Sequence, residues 1–252
     1  MDHRTANKPV IVTAAILVIG DEILSGRTKD SNIGYIADYC TAIGIDVCEA
    51  RIVSDREDDI IAAVRALAAR YDHVFSTGGI GPTHDDITAD AMAKAFGVTI
   101  DHDPRAVAIL SAHYGAEKLT EARLRMARIP AGADLIENAV SKAPGFTIRN
   151  VHVMAGVPVI MQGMLDVITA RIATGTRMLS ETVPAPIGEG RIASGLGLIQ
   201  GRFSDVAIGS YPKMQESGFS TEIVLRSRDA ARLAEAVVAV KTLIASLLME
   251  GS

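Results

Sequence analysis

The sequence predicts an α/β protein with a three-layer, mostly parallel sheet and a small C-terminal α+β domain. Two observations support this. Through the first hundred residues, short apolar runs alternate with segments whose apolar residues recur at the 3.6-residue period of a helix. Strands joined by helical crossovers pair in parallel, with helices on both faces of the sheet. From residue 188 onward the pattern becomes helix, strand, strand, helix, which is typical of a small α+β unit.

The first three strands are predicted from their apolar character. Residues 14–19 are a continuous apolar run, expected to be buried on both faces of the sheet. Ser31 is expected to cap the helix that follows, and residues 45–53 form the second strand. Residues 60–68 carry apolar side chains on one helical face. Residues 74–76 are the third strand.

The rest of the main domain completes the sheet. A helix is predicted to open at Asp103 and Pro104. Three turn-bounded apolar segments then follow, at residues 129–138, 142–150 and 151–158. An amphipathic helix begins at Val157. Its methionines are expected to fill the core, because a thioether is a poor ligand for hard cations.

The domain boundary is predicted from composition. The segment ETVPAPIGEG, residues 181–190, carries two prolines and two glycines and is interpreted as part of a linker. We therefore place the main domain at residues 10–175 and the second at residues 188–252. The second domain is predicted to contain a helix over 191–203, strands over 205–211 and 220–226, and a helix over 229–248.

The composition favours small-molecule chemistry. The net charge is −5 with no block of consecutive Lys or Arg, which argues against nucleic acid or an anionic membrane as partner. The apolar run over residues 11–19 is too short to span a bilayer. Cys40 and Cys48 have no CxxC partner and are predicted to be buried thiols of a reducing cytoplasm. We expect a soluble, cytoplasmic protein.

The segment HVFSTGGIGPTHDDIT, residues 73–88, points most directly to function. A strand runs into Gly78, Gly79 and Gly81, whose conformational freedom lets backbone N–H groups approach a phosphate. Pro82 then stiffens the turn. This order of residues predicts an anion-binding loop.

Two carboxylates follow the glycines. Asp85 or Asp86 is expected to cap the next helix. Adjacent carboxylates would repel a phosphate unless a divalent cation such as Mg²⁺ lay between them and the ligand. The loop therefore predicts a metal together with a phosphate.

Acidic loops are predicted to follow the other two strands as well. Gly20, Asp21 and Glu22 follow the first strand and Asp55 follows the second. In open parallel sheets, ligands bind outside the carboxyl ends of the strands. The three loops are thus expected to meet in one site, although Asp55 taken alone fits a helix cap better.

These motifs carry a family resemblance. The combination GDEILSGRTKDSN, VSDREDDI, STGGIGPTHDDIT, APGF and GVP resembles the MoaB/Mog-type molybdopterin-binding domains, specifically the N-terminal domain of the competence/damage-inducible CinA proteins. The similarity covers roughly residues 12–175, and GSYP followed by LRSRD resembles the small domain that comes next in that branch. The resemblance implies a homo-oligomer, a dimer or trimer, whose partner is a small-molecule pterin or nucleotide.

The acidic loops, the glycine loop and the resemblance together predict the residues of the site. Asp55, Asp86 and Glu22 fall at catalytic positions, and Asp85 and Asp86 are expected to hold a divalent metal, Mg²⁺, Mn²⁺ or Co²⁺. The residues expected to contact molybdopterin or a nucleotide are Gly20, Asp21, Ser31, Asn32, Thr77, Gly78, Gly79, Gly81, Pro82, Thr83, Thr88, Lys142, Pro144 and Gly145.

Three functions remain open. The first is a molybdopterin- or nucleotide-binding protein, the second a metal-dependent pyrophosphatase of the ADP-ribose type, and the third a non-catalytic scaffold. Retained carboxylates around an anion loop favour the first two. Departures from the CinA pattern weaken the second: residues 123–128 replace Asn-x-Lys-Gln-Ala, and Ile160 replaces the Glu of PGVPxEM. Arg123, Arg125 and Lys142 are alternative phosphate contacts.

Overall fold

The computed structural model describes residues 9–115, 117–215 and 218–249. Within them the chain divides into two compact units: Val10–Gly175, and the described residues from Thr176 onward together with Pro9. The first unit contains β1 (Val12–Ile19), α1 (Asp21–Leu24), α2 (Asn32–Ala42), β2 (Ile45–Val53), α3 (Glu57–Arg70), β3 (His73–Thr77), α4 (Thr88–Phe96), β4 (Ile100–His102), α5 (Pro104–Tyr114), α6 (Glu121–Leu124), a 3₁₀ turn (Arg125–Ala127), β5 (Arg128–Pro130), β6 (Asp134–Ile136), β7 (Gly145–Ile148), β8 (Val151–Met154) and α7 (Pro158–Thr169). The second unit contains β9 (Leu179–Ala185), α8 (Glu189–Arg202), β10 (Ala207–Gln215), β11 (Gly218–Ser227) and α9 (Ala230–Met249).

The main sheet of the first unit is mostly parallel, as predicted. Its strand order is β2-β1-β3-β8-β7-β6, with parallel pairing from β2 to β8 and antiparallel pairing of β7 and β6. Ile19 pairs with Val53, and Val18 pairs with Thr77. Because the three strands end level with one another, the loops that follow them emerge side by side.

Helices cover both faces of this sheet. Along β1, Leu17 faces a core with α3 and α4, whereas Ile16 faces a second core with α2 and α7. Met161 and Met164 are fully buried in the second core, which confirms that these methionines are core residues. Each large apolar side chain buried in this way contributes roughly 1.5–3 kcal/mol. Two packed faces therefore hold the strand ends in place.

The predicted helix caps are only partly correct. Asp103 caps α5, because its side chain accepts hydrogen bonds from Arg105 N at 2.8 Å and Ala106 N at 3.4 Å. The side chain of Ser31 makes no capping bond to α2. Instead, Asp30 Oδ1 accepts a hydrogen bond from Ile33 N at 2.8 Å.

The second unit has a three-stranded antiparallel sheet in the order β10-β11-β9. Its core includes Leu225 of β11 and Val240 of α9. The interpretation of residues 181–190 as part of a linker was wrong, because Leu179–Ala185 forms β9 and pairs with β11. Pro184 made this segment resemble a linker, but an edge strand tolerates a proline.

The two cysteines differ in environment. Cys40 is buried in α2, and burial raises the pKa of its thiol to about 12. The prediction of a buried thiol was wrong for Cys48, which is exposed on the edge strand β2.

None of the helices in the described ranges has both the length and the apolar character that crossing a bilayer requires.

Two histidines pair near the starts of β3 and β8. His73 Nδ1 lies 3.2 Å from His152 Nε2, and Thr147 Oγ1 lies 3.0 Å from His152 Nδ1. Burial lowers the pKa of His152 to about 3, and burial also lowers the pKa of His73. Both rings are therefore neutral near pH 7. Protonation of either ring therefore destabilises the folded state relative to the unfolded chain.

The protein is expected to lose stability as the pH falls below 6.5, the ordinary pKa of histidine in the unfolded chain. The unfolded chain then binds protons that the folded chain does not, so the free energy of unfolding decreases until the pH nears the folded pKa of about 3. Urea unfolding between about pH 7 and pH 5 measures this slope. His152→Gln should flatten it, whereas His113→Gln, at an exposed position, should not. Equal slopes in both variants and the wild type would contradict the assignment.

Candidate functional site

A cleft of about 780 Å³ opens at the edge of the sheet where β1, β2 and β3 end. Its volume lies within the range of about 300–1,000 Å³ that is usual for small-molecule sites. Loops from all three strands contribute to its walls, as the sequence predicted. The predicted site residues that line it are Gly20, Glu22, Asp55, Gly78, Gly79, Gly81, Pro82, Asp85 and Asp86.

Asp55 is tied to the loop after β1. Its Oδ2 accepts a hydrogen bond from Asp21 N at 2.9 Å, and Gly20 N donates to Val53 O at 3.1 Å. Asp55 therefore joins two strand ends and does not cap α3, whose first turn follows Arg56 without a side-chain cap. Asp21 contributes its backbone N–H to this arrangement.

Negative charge accumulates around Asp55. Burial raises the pKa of its carboxyl group, and the nearby carboxylates of Asp21, Glu22 and Asp85 raise it further, against the hydrogen bond from Asp21 N. A carboxylate held in such surroundings is stabilised by any cation that enters the cleft. The electrostatics of this wall thus favour a positively charged ligand component.

The glycine-rich loop is closed tightly at its base. Gly78 has φ 102°, and a Cβ atom there would lie 2.1 Å from Ile19 O. Gly79 has φ 67°, and a Cβ atom there would lie 2.1 Å from Thr88 Oγ1. Thr88 is buried; its hydroxyl donates to Gly78 O at 3.0 Å and its N–H donates to Gly79 O at 3.1 Å. Thr88, expected to contact the ligand, closes the loop instead.

Asp86 organises the tip of the same loop. Its Oδ2 accepts hydrogen bonds from Thr83 N at 2.8 Å and Thr83 Oγ1 at 2.6 Å. The expectation that Asp85 or Asp86 caps the next helix was wrong, because Ile87 precedes α4 and no side chain caps it. Asp86 is instead held at the cleft wall, where its second oxygen has no hydrogen-bond partner among the described residues.

Three predicted residues that do not line the main cleft line a smaller neighbouring pocket of about 80 Å³: Ser31, Asn32 and Thr77. Asn32 Nδ2 donates to Gly156 O at 2.9 Å, which fixes the loop before α7 beside the site. Asn32 Oδ1 and Thr77 Oγ1 are buried and lack a hydrogen-bond partner among the described residues. These two atoms therefore carry unused hydrogen-bonding capacity next to the cleft.

The remaining predicted residues lie outside the main cleft. Lys142 is exposed with φ 62° and does not line it. Pro144 lines a minor pocket beside Arg125. Gly145 belongs to β7, where a Cβ atom would lie 2.3 Å from Val153 O, so packing accounts for this glycine.

One wall of the cleft was not predicted as such. It includes Tyr114, Met126, Asn138 and Ser141, together with Arg123, which the sequence suggested only as an alternative phosphate contact. The Arg123 guanidinium carbon lies 4.2 Å from the centre of the Tyr114 ring. Tyr114 and Arg123 lie in α5 and α6, and Met126 lies in the 3₁₀ turn. No recognisable motif marks these elements, and the residue types at 123–128 were the available signal.

The donor set of the cleft determines what kind of metal site it can form. No group of three His, Cys, Asp or Glu side chains in the described part of the chain is arranged to hold a metal ion. Mg²⁺ is commonly held by one or two carboxylates, with phosphates and water completing its shell. The side chains of Asp85 and Asp86 fit a cation shared with a bound phosphate, and do not fit a metal held by protein ligands alone.

Comparison with known proteins identifies the family. The chain matches the probable molybdopterin-binding domain over residues 15–174 and the middle domain of FAD synthase over residues 177–250. A protein from Thermoplasma acidophilum is 34% identical over 209 residues, covering 81% of this chain and 82% of that protein. The chain therefore belongs to the MoaB/Mog-type family of probable molybdopterin-binding domains.

Two further relatives refine this placement. The crystal structure of CinA, a protein of unknown function from Thermoplasma acidophilum, has a TM-score of 0.62 and 36% identity; the match covers 65% of this chain and 99% of that one. A probable FAD synthase from Caenorhabditis elegans is 29% identical over 268 residues, covering 96% of this chain but only 52% of the relative. The CinA-like character is confirmed, and the FAD synthase likeness was not anticipated.

The tight base of the glycine loop generates a stability prediction. Gly79→Ala is expected to destabilise the protein more than Gly97→Ala. Both glycines have a positive φ, 67° and 69°, but a Cβ atom at Gly97 meets nothing within 4 Å. The control change should cost about 1 kcal/mol for the backbone conformation, and Gly79→Ala roughly 1–3 kcal/mol more for the clash with Thr88. Urea unfolding measures both. An equal decrease in the free energy of unfolding for both variants would contradict the close packing of Gly79 against Thr88.

Proposed function

We propose that the cleft binds the phosphate groups of a pterin or nucleotide, with a divalent cation, Mg²⁺, Mn²⁺ or Co²⁺, at the carboxylates. The observation that carries the proposal is the convergence of the glycine loop with Glu22, Asp55, Asp85 and Asp86 on one cleft. Such a combination suits an anion whose charge is shared with a metal. The FAD synthase likeness makes FAD the first nucleotide to test.

The protein residues have distinct proposed roles in binding. Gly79, Ile80 and Gly81, which line the cleft, supply backbone N–H groups to the phosphates. Asp86 and Asp85 hold the cation, which when bound neutralises the negative charge of the phosphates. Asp55 and Glu22 favour cation entry through their charge. Ser31, Asn32, Lys142 and Pro144 lie outside the main cleft and are proposed as further contacts to the ligand.

Assembly and location stay proposals as well. We propose a homo-oligomer, a dimer or trimer, in the cytoplasm. Light scattering coupled to size exclusion gives the mass of the assembly directly.

A scaffold role is the competing hypothesis, and it predicts that no pterin or nucleotide stabilises the protein.

Asp86→Asn is expected to weaken FAD binding at least about tenfold in Mg²⁺ while leaving the fold intact. The amide oxygen can still accept from Thr83, but the charge available to the cation is lost. Calorimetric titration of FAD into both proteins, once in Mg²⁺ and once in EDTA, measures the effect. The two proteins should differ in FAD affinity in Mg²⁺ but not in EDTA. Asp58→Asn, an exposed position on α3 that does not line the cleft, removes the same charge as a control. An equal effect of both changes would refute a role for Asp86.

Metal-dependent pyrophosphate hydrolysis is a second candidate function. The observation that favours it is the raised pKa of Asp55 beside Glu22, since a base with a raised pKa accepts a proton from water more readily. Ile160 weighs against it. This residue lines the cleft where the CinA pattern has a Glu, so the wall lacks that carboxylate.

The unmodified protein is therefore expected to bind ADP-ribose and to hydrolyse it slowly. Ala155 and Ile160 both line the cleft, and the double change Ala155→Pro with Ile160→Glu should raise kcat by up to about 10²–10⁴-fold with little change in affinity. Ile160→Gln with the same Ala155→Pro change is the matched control without a charge. Steady-state assays in Co²⁺ or Mg²⁺ measure turnover. Rapid hydrolysis by the wild type would instead establish the pyrophosphatase.

A further inference from the structure

Tyr114 and Arg123 form a flat pair on the cleft wall. Tyr114 is the last residue of α5, and Arg123 belongs to α6. The guanidinium carbon lies 4.2 Å from the ring centre, within the range of a cation–π contact. Both side chains are partly exposed, and both line the cleft together with the thioether of Met126. Planar groups of this kind stack on heteroaromatic rings.

The charge of Arg123 sets this wall apart from the rest of the cleft. Four carboxylates line the cleft, those of Glu22, Asp55, Asp85 and Asp86. Within the described ranges, Arg123 is the one Lys or Arg that lines it. The cleft therefore has a carboxylate wall and a guanidinium–aromatic wall. A ligand with phosphates at one end and a ring at the other matches this division.

The hydrogen-bonding capacity of Arg123 limits which heteroaromatic rings this wall of the cleft can bind well. Arg123 Nη1 donates to Lys118 O, and no carboxylate within the described residues pairs with its guanidinium. Its other N–H groups remain available as donors. A guanidinium donates readily to a carbonyl oxygen and an adjacent ring nitrogen, as in guanine, whereas adenine presents an amino donor at the corresponding position.

We propose that Tyr114 and Arg123 form a ring site that prefers oxo-substituted rings, such as pterin, isoalloxazine or guanine, over adenine. The inference rests on the proposed function of the same cleft. Tyr114 supplies the stacking surface, and Arg123 supplies the in-plane donors that distinguish the rings. Phosphate binding at the glycine loop anchors the ligand at its other end.

Calorimetric titrations of GDP, ADP and inorganic pyrophosphate in Mg²⁺ test the proposal, because the two nucleotides share phosphates and ribose and differ in the ring. The wild type is expected to bind GDP about tenfold more tightly than ADP. Arg123→Gln should abolish or reverse that preference, since a glutamine amide matches adenine. Tyr114→Leu should weaken binding of both nucleotides but not of pyrophosphate, and Tyr114→Phe, which keeps an aromatic ring, should bind both nucleotides more tightly than Tyr114→Leu does.

Arg149→Gln is the matched control, because Arg149 lies 4.9 Å over the ring of Phe96 and does not line the cleft. It removes a similar arginine–aromatic contact and should keep the preference for GDP. Pyrophosphate binding with equal affinity for GDP and ADP would overturn the ring site alone. Retention of the wild-type preference by Arg123→Gln would also overturn the ring site. Failure of pyrophosphate and both nucleotides to bind would overturn the proposed function together with this inference.

Discussion

The close contact between the end of β1 and the glycine loop is the constraint on which the site depends. Gly78 lies so near Ile19 O that a Cβ atom would approach it to 2.1 Å, and Gly78 N donates to Met154 O at 3.2 Å. The loop is thus fixed against two neighbouring strands before it turns toward α4. Thr88 secures its return by two hydrogen bonds to the glycine backbone. A side chain at Gly78 would separate these strand ends and move the loop carboxylates away from Asp55.

Electrostatic strain is the second consequence of this geometry. The parallel pairing that aligns the strand ends also gathers the carboxylates of Glu22, Asp55 and Asp85. Burial, and after it these neighbouring charges, raise the pKa of Asp55. Such an arrangement opposes ionisation in the free protein and is relieved by a cation. The donor set supplies too few ligands to hold a metal by itself among the described residues. Cation and phosphate are therefore expected to stabilise each other in the cleft, so that each binds better in the presence of the other.

Local patterns predicted the features that local physics determines. The apolar runs of β1, β2 and β3 and the start of α5 at Asp103 and Pro104 depend on neighbouring residues, and the sequence located them. The helix caps expected at Asp55 and at Asp85 or Asp86 are absent, because Asp55 and Asp86 accept hydrogen bonds from Asp21 and Thr83 in the folded loops. β9 was missed because an edge strand is defined by its partner more than by its own composition. Tyr114 was missed for a similar reason, since its place at the cleft depends on the tertiary packing of α5 and α6.

Calorimetric titration of FAD into the unmodified protein, in Mg²⁺ and in EDTA, tests most directly whether the carboxylates and the glycine loop act together on one phosphate ligand. We predict saturable binding to one site per chain in Mg²⁺ and an affinity at least about tenfold lower in EDTA, because the carboxylates then repel the pyrophosphate without a cation between them. Absence of binding in Mg²⁺, or an affinity that does not change when the metal is removed, would contradict this joint action.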